Sequence, residues 1–236
     1  RNTTARPLRK VYALGETVLD IIFKHGIPQA AKPGGSMLNT AVSLGRCGLQ
    51  TVFLSETGKD EPGRMIVDFL IENKVDTRHV QMYMDGKTTI ALAFLDDDNN
   101  ASYSFYRSFP QNRLTMDWPE PTNNDIVLFG SFFSITAEIR EKVVHFIRHA
   151  RSSGSLIIYD PNFRKPHKKD IEVVRPWIIE NILMADIVRG SGEDFLNIFD
   201  VENSSDTYAI VKESGCSVLV YTMNKRGIDF HHNKSV

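Results

Sequence analysis

Only two cysteines, Cys47 and Cys216, occur in 236 residues, far apart and without a C-x-x-C pair, so the chain encodes neither a disulfide framework nor a zinc knuckle. A reducing, cytoplasmic setting is the expected one. Long apolar runs are missing too. The best candidate, Ile126 to Ile135, is broken by Gly130, Ser131 and Ser134 and falls short of the roughly 18 residues that a membrane span needs. The basic start from Arg1 to Lys10 is followed by Glu16 and Asp20 where a signal peptide would be apolar, which argues against secretion. Neither sign of charge prevails: 28 Lys and Arg against 29 Asp and Glu give a net charge of −1. With no global field to recruit nucleic acid or anionic lipid, the expected partner is a small neutral or modestly anionic molecule.

Several catalytic signatures are absent as well. Gly86-Lys87-Thr88 resembles the end of a P-loop, but Gln81 stands where its first glycine belongs and a strand follows. There is no G-x-S-x-G nucleophile elbow. His145 and His149 have helical i, i+4 spacing, but Phe146 replaces the zinc-protease glutamate and no third ligand offers itself; His231-His232 is no more persuasive. Asp96-Asp97-Asp98 suits a hairpin turn without invoking a metal.

What is present is ordinary globular composition, 42% hydrophobic and 24% charged, at a length suited to one large domain or a domain with a small appendage. Short apolar runs at Val11–Leu14, Val18–Phe23, Thr51–Leu54, Ile126–Phe129 and Leu156–Tyr159 predict strands, and Ile187–Val188 and Val218–Tyr221 mark further units of the alternation. Met37, Leu38, Ala41, Val42 and Leu44 recur at helical spacing, with Asn39, Ser43 and Arg46 on the opposite stripe and Gly48 as the stop. Asp60 and Pro62 open a second helix with Met65, Ile66, Phe69 and Leu70 as its core face, and Ile139, Val143, Phe146, Ile147 and Ala150 mark a third, stopped by Gly154. Two further units centre on Phe195–Phe199 and Tyr208–Val211. Thr88–Leu95 and Ala101–Arg107 form a hairpin across an Asp/Asn turn. Strands alternating with helices predict an α/β fold with a mainly parallel central sheet, helices on both faces and ligands at the carboxyl ends of the strands. The segments 18–33 and 88–107 interrupt that alternation as a small second sheet.

Two constellations could carry chemistry. Gly34-Gly35 precedes the helix bearing Asn39: glycines permit close approach of backbone to a ligand and a helix N-terminus offers free N–H groups, though a plain glycine turn has the same spelling. Asn39 either faces solvent or hydrogen-bonds a hydroxylated ligand in both directions. Asp160-Pro161-Asn162-Phe163-Arg164 puts a carboxylate, an amide and a guanidinium at the carboxyl end of a buried strand. The basic run Lys165 to Lys169, with His167, is a solvated stretch, whereas Arg164 is assigned to the site.

Taken together these residues resemble the PfkB, or ribokinase-like, carbohydrate kinases. The likeness is carried by Gly34-Gly35-Ser36-Met37-Leu38-Asn39-Thr40-Ala41 with Gly48 and Gly58 downstream, by Gly15-Glu16 with Asp20, by Gly58-Lys59-Asp60-Glu61-Pro62-Gly63, by Phe105-Tyr106-Arg107, by Asp160 to Arg164, and by Thr222 with Gly227. The motifs are closest to fructokinases and 2-keto-3-deoxygluconate kinases. The resemblance implies a main α/β domain of residues 1–17, 34–87 and 108–236, and a β lid of 18–33 and 88–107 that also forms a homodimer. It implies that Asp20, Gly34, Gly35, Asn39, Arg107, Asn162 and Arg164 bind the sugar, that Ser191, Asp194, Thr222 and Gly227 bind the nucleotide, and that ATP and Mg²⁺ are used. The implied activity is transfer of the γ-phosphoryl group to a sugar hydroxyl, with a 2-keto-3-deoxygluconate kinase, ribokinase, nucleoside kinase or inactive sugar-binding homologue as the alternatives.

Three positions depart from the family pattern. Met37 replaces a small residue, Ser191-Gly192-Glu193-Asp194 replaces an Asn-x-x-Glu motif, and Asn224 replaces the first glycine of a Thr-x-Gly-x-x-Gly turn. The family's Gly-Ala-Gly-Asp loop, with its catalytic aspartate, does not occur in these 236 residues. The base is therefore expected beyond Val236, and both ends of the chain, which starts at Arg1 without a methionine, are expected to be incomplete.

Overall fold

A computed structural model describes residues 9–232. The basic start from Arg1 to Leu8, the final Val236 and the side chains of Lys165, Pro166 and His167 lie outside the described residues. The chain divides into two compact units, one running through Leu14 and resuming at Glu120, the other spanning Gly15–Pro119.

The first unit opens with β1 (Lys10–Leu14), whose Val-Tyr-Ala-Leu run is buried throughout, as expected of a strand inside a parallel sheet. The second unit follows. Its β2 (Val18–Lys24) and β3 (Ile27–Gly34) form a hairpin through His25 and Gly26, both at positive φ, the conformation a tight two-residue turn demands. Then come α1 (Ser36–Arg46), β4 (Gln50–Gly58), α2 (Glu61–Glu72) and β5 (Val75–Tyr83), with β4 and β5 parallel. The antiparallel hairpin β6 (Lys87–Leu95) and β7 (Ala101–Ser108) completes a four-stranded sheet in the order β3-β2-β6-β7. Its turn is held by Asp96, whose carboxylate accepts the Asn100 N–H at 2.8 Å.

In the first unit β8 (Ile126–Gly130), β9 (Leu156–Asp160), β10 (Ile187–Ser191) and β11 (Val218–Thr222) run parallel with β1, and β12 (Ile228–His232) closes the edge antiparallel to β11. The crossovers carry α3 (Ala137–Ser152), α4 (Ile171–Met184), α5 (Gly192–Phe199) and α6 (Ser204–Glu213). One face of this sheet, with Val127, Phe129, Ile157, Tyr159, Val188, Leu219 and Tyr221, is fully buried. The alternate residues Ile126, Leu128, Leu156, Ile158, Val218 and Val220 are half-buried, and Ile228 and Phe230 are 63% and 67% exposed.

Two details differ from the sequence reading. Met65 is not core but 44% exposed, because Ile66 and Leu70 with Gly63 already fill the buried face of α2. In α1, Leu44 is only half-buried and Gly45 takes the core position, where a Cβ would stand 2.3 Å from the carbonyl oxygen of Asn73.

Candidate active site

The second unit holds five of the seven residues predicted for the sugar, Asp20, Gly34, Gly35, Asn39 and Arg107, whereas Asn162 and Arg164 belong to the first. Gly34 packs against Asp20: a Cβ there would lie 2.2 Å from Asp20 Oδ2, so a larger residue would displace that carboxylate. Gly35 is required because its φ is +126° and a Cβ would lie 2.2 Å from the Glu16 carbonyl oxygen. Gly35 caps α1 without a side chain, and the first N–H of that helix, from Ser36, is directed at Glu16 Oε1 at 3.5 Å. Asn39 is exposed on α1, opposite the buried Met37, Leu38, Ala41 and Val42. The Met37 departure does not reach the ligand side: its side chain is 1% exposed and fills the space that Gly15 leaves, where a Cβ would stand 2.3 Å from Met37 Cβ.

Asp20 is half-buried, its carboxylate accepts no hydrogen bond among the described residues, and burial raises its pKa. Register places Asp20, Ala91 and Phe105 in one cross-strand row, and Arg107, two residues beyond Phe105, shares that face with its guanidinium 5.0 Å over the Phe105 ring. Buried Ala91 and Ala93 keep the face shallow between them.

The first unit gathers the other set. Asp160 ends β9 and is buried; its Oδ2 receives Arg189 Nη1 at 2.7 Å and its Oδ1 receives the Asn162 N–H at 3.1 Å. Burial raises the Asp160 carboxyl and Arg189 opposes it, with burial the larger effect. The carboxylate thus shapes the turn, in which Asn162 sits at φ 39°, Phe163 is buried, and Arg164 emerges exposed. Ser191 and Asp194 form a reciprocal capping box on α5: Asp194 Oδ2 accepts the Ser191 N–H at 2.7 Å, and Ser191 Oγ accepts the Asp194 N–H at 3.2 Å. The Ser-x-x-Asp departure therefore makes a capping box of its own. Asn224 occupies the left-handed region at φ 53°, which asparagine tolerates better than most residues, and Gly227 follows at φ 94°.

A cleft of about 590 Å³ brings together Asn162, Arg164, Ser191, Asp194 and Thr222. Gly227 is not among its lining residues, while Asn224 and Arg226 of the same turn are. The sequence reading missed Arg189 and Arg226; only the pairing of β10 with β9 brings Arg189 to Asp160. Among the described residues no group of three or more His, Cys, Asp and Glu forms a metal cage.

The description "pfkB family carbohydrate kinase" matches residues 9–236. The chain belongs to that family. It is 25% identical over 206 residues to a probable fructokinase-4 of Arabidopsis thaliana, covering 84% of this chain and 63% of that protein. It is 23% identical over 223 residues to a fructokinase of Vibrio alginolyticus, covering 94% and 73%. The fold is that of a crystallised fructokinase from Vibrio cholerae O395, with a TM-score of 0.85 at 21% identity over 96% of this chain and 79% of the other. The same protein bound to fructose, ADP and calcium gives 0.82 at 20% identity, over 97% and 75%. The pfkB chain described here thus spans under two thirds of the first curated relative, and the α/β, ribokinase-like architecture is established for it.

Proposed function

We propose that this pfkB-family protein is an ATP-dependent sugar kinase of fructokinase type, transferring the γ-phosphoryl group to a sugar hydroxyl. The observation that carries the reading is the cleft of the first unit, where Asn162, Arg164, Ser191, Asp194 and Thr222, all assigned from sequence motifs, line one cavity with two further arginines. A fructokinase with fructose and ADP bound shares the fold, which supports the same substrate pair here. Asp20 accepts from sugar hydroxyls, Asn39 donates and accepts, and Arg107 reaches in from the four-stranded sheet. Gly34 and Gly35 bring backbone close to the sugar. Arg164 and Arg189 counter charge on the transferring phosphoryl group, and Thr222 with the Asn224–Gly227 turn holds the nucleotide. The proton acceptor is the aspartate of a Gly-Ala-Gly-Asp loop, which these 236 residues do not contain.

Mg²⁺ suits this donor set. It usually keeps several waters and needs only one or two carboxylates besides the phosphates, and Glu193 and Asp194 both line the cleft. When bound it would neutralise phosphate charge. Residues 18–33 and 88–107 act as a lid that excludes water from the sugar, and the same sheet forms a homodimer, leaving 1–17, 34–87 and 108–236 as the kinase domain. Cys47 and Cys216, both free, suit a cytoplasmic protein, and no described helix is long and apolar enough to cross a membrane.

A coupled ADP-release assay on the full-length protein with ATP and Mg²⁺, run against fructose, 2-keto-3-deoxygluconate, ribose and adenosine, tests the reading. Fructose-dependent turnover is expected, lost in folded Asn39→Ala and Arg164→Ala. Absence of turnover with all four acceptors would reject it, and preference for another acceptor would reject the fructokinase assignment.

A further inference from the structure

A dense polar cluster at the root of the β6–β7 hairpin takes no part in the sites described above. Glu56 on β4 and Arg113 are 3% and 8% exposed and form a buried ion pair. Arg113 Nε donates to both Glu56 carboxylate oxygens, at 3.0 and 3.2 Å, and Nη2 donates to Oε1 as well. Tyr83, at the end of β5, donates to Glu56 Oε2 at 2.7 Å, and its oxygen accepts the Leu114 N–H at 2.7 Å. The Arg113 guanidinium also lies 3.7 Å over the Phe109 ring. Two strand positions back, Gln81 Oε1 accepts the N–H groups of Thr115 and Met116 at 2.7 and 3.1 Å. Leu114 is held in the left-handed region at φ 50° while 1% exposed, a conformation that a bulky residue keeps only when its surroundings impose it.

The other root of the hairpin is clamped by different chemistry. Thr88, at the start of β6, donates its N–H to Asp60 Oδ2 at 3.1 Å, and its Oγ1 accepts the Gly58 N–H at 3.1 Å and lies 3.0 Å from Thr57 Oγ1. The start of β6 is thus tied to β4 and its flank through the Asp60 carboxylate, and the segment that follows β7 is tied to β4 by an ion pair.

A buried ion pair contributes little net stability compared with apolar residues of the same volume, because desolvation consumes the attraction. What the forked guanidinium adds is direction, since its planar geometry admits one orientation against a carboxylate. We propose that Glu56, Arg113 and Tyr83 are positioning residues. They fix where β7 leaves the sheet, and so set the location of Arg107, which stands six positions upstream of the anchor. The inference deepens the sugar-kinase reading and rests on it for the target of Arg107.

The test uses Tyr83→Phe and Arg113→Lys in the full-length protein, with hydrogen exchange resolved by residue and steady-state kinetics on the sugar identified above. Glu56→Gln leaves Arg113 buried without a charge partner and serves as the severe case; Tyr83→Phe keeps the ion pair and is the variant chosen to fold. Amides of 105–114 should exchange about tenfold faster in both mild variants, with those of β1 and β8–β11 unchanged. The sugar KM should rise roughly five- to twentyfold while the ATP KM stays within about twofold. Unchanged exchange over 105–114 in folded variants overturns the anchor, and faster exchange with an unaltered sugar KM overturns its link to Arg107. If the parent protein phosphorylates no sugar, the kinase reading and the role for Arg107 fall together, and the exchange data still decide whether β7 is anchored here.

Discussion

Asp20 carries a cost that its neighbours do not offset. Its half-buried carboxylate has no hydrogen-bond partner among the described residues, and burial raises its pKa above the ordinary 3.8. A carboxyl whose folded pKa exceeds its unfolded one binds its proton more tightly in the folded state, so ionisation destabilises the fold above the folded pKa and the penalty fades as pH falls through it. Asp20→Asn should therefore raise the melting temperature at pH 7 by about 1–3 °C, with the gain shrinking toward pH 4. It should also weaken sugar binding at least about tenfold, because an acceptor facing hydroxyls becomes half donor. A lower melting temperature at pH 7 would contradict the argument. Asp160 differs by having Arg189 beside it. Its role was legible in the sequence as a strand-end turn, but Arg189 was not, because only register brings β10 alongside β9. Met37 reads as a site departure in the sequence, and its burial against Gly15 shows why motif position alone misleads.

At the scale of elements, α5 has eight residues and depends on its first turn. Ser191→Ala removes one half of the capping box and leaves the Asp194 N–H without its acceptor, which should cost about 1 kcal/mol. Urea denaturation should show that loss as a lower midpoint with an unchanged slope; an unaltered midpoint would mean that water replaces the hydroxyl. Strong periodicity made α1, α2 and α3 readable, as did the continuous apolar runs of β1, β8, β9 and β11. The helix α4 was hidden by Pro176 in its interior, a residue that ordinarily ends a helical pattern. Strand β5 was hidden by Asp76, Arg78, His79 and Gln81: Arg78 donates to the Asp76 carboxylate, while the side chains of His79 and Gln81 bond the backbone of residues 115–117. In β12 the exposed Ile228 and Phe230 alternate with Asp229 and His231, a pattern too short to recognise.

For the whole molecule, the four-stranded sheet displays more aromatic surface than a lone sheet should. Phe94, Tyr103, Phe105 and Tyr106 are 41%, 56%, 49% and 60% exposed, and β7 lies at an edge. Sedimentation velocity should find a dimer. Phe94→Asp and Tyr103→Asp, one on each face, should identify the buried face by which of them yields monomer with unchanged circular dichroism. A monomeric parent at micromolar concentration would remove the homodimer from the proposal.

The division of the chain also sets an order of events during synthesis. Gly15–Pro119 is one uninterrupted stretch, whereas β1 pairs with β8, Val11 lying against Ile126. Strand β1 must therefore wait, unpaired with β8, while everything between them is made, and closing so long a loop is slow. The intervening unit can mature in that interval. A nascent chain arrested soon after Pro119 emerges should already protect the amides of β2–β7 from exchange, while β8 has yet to be made.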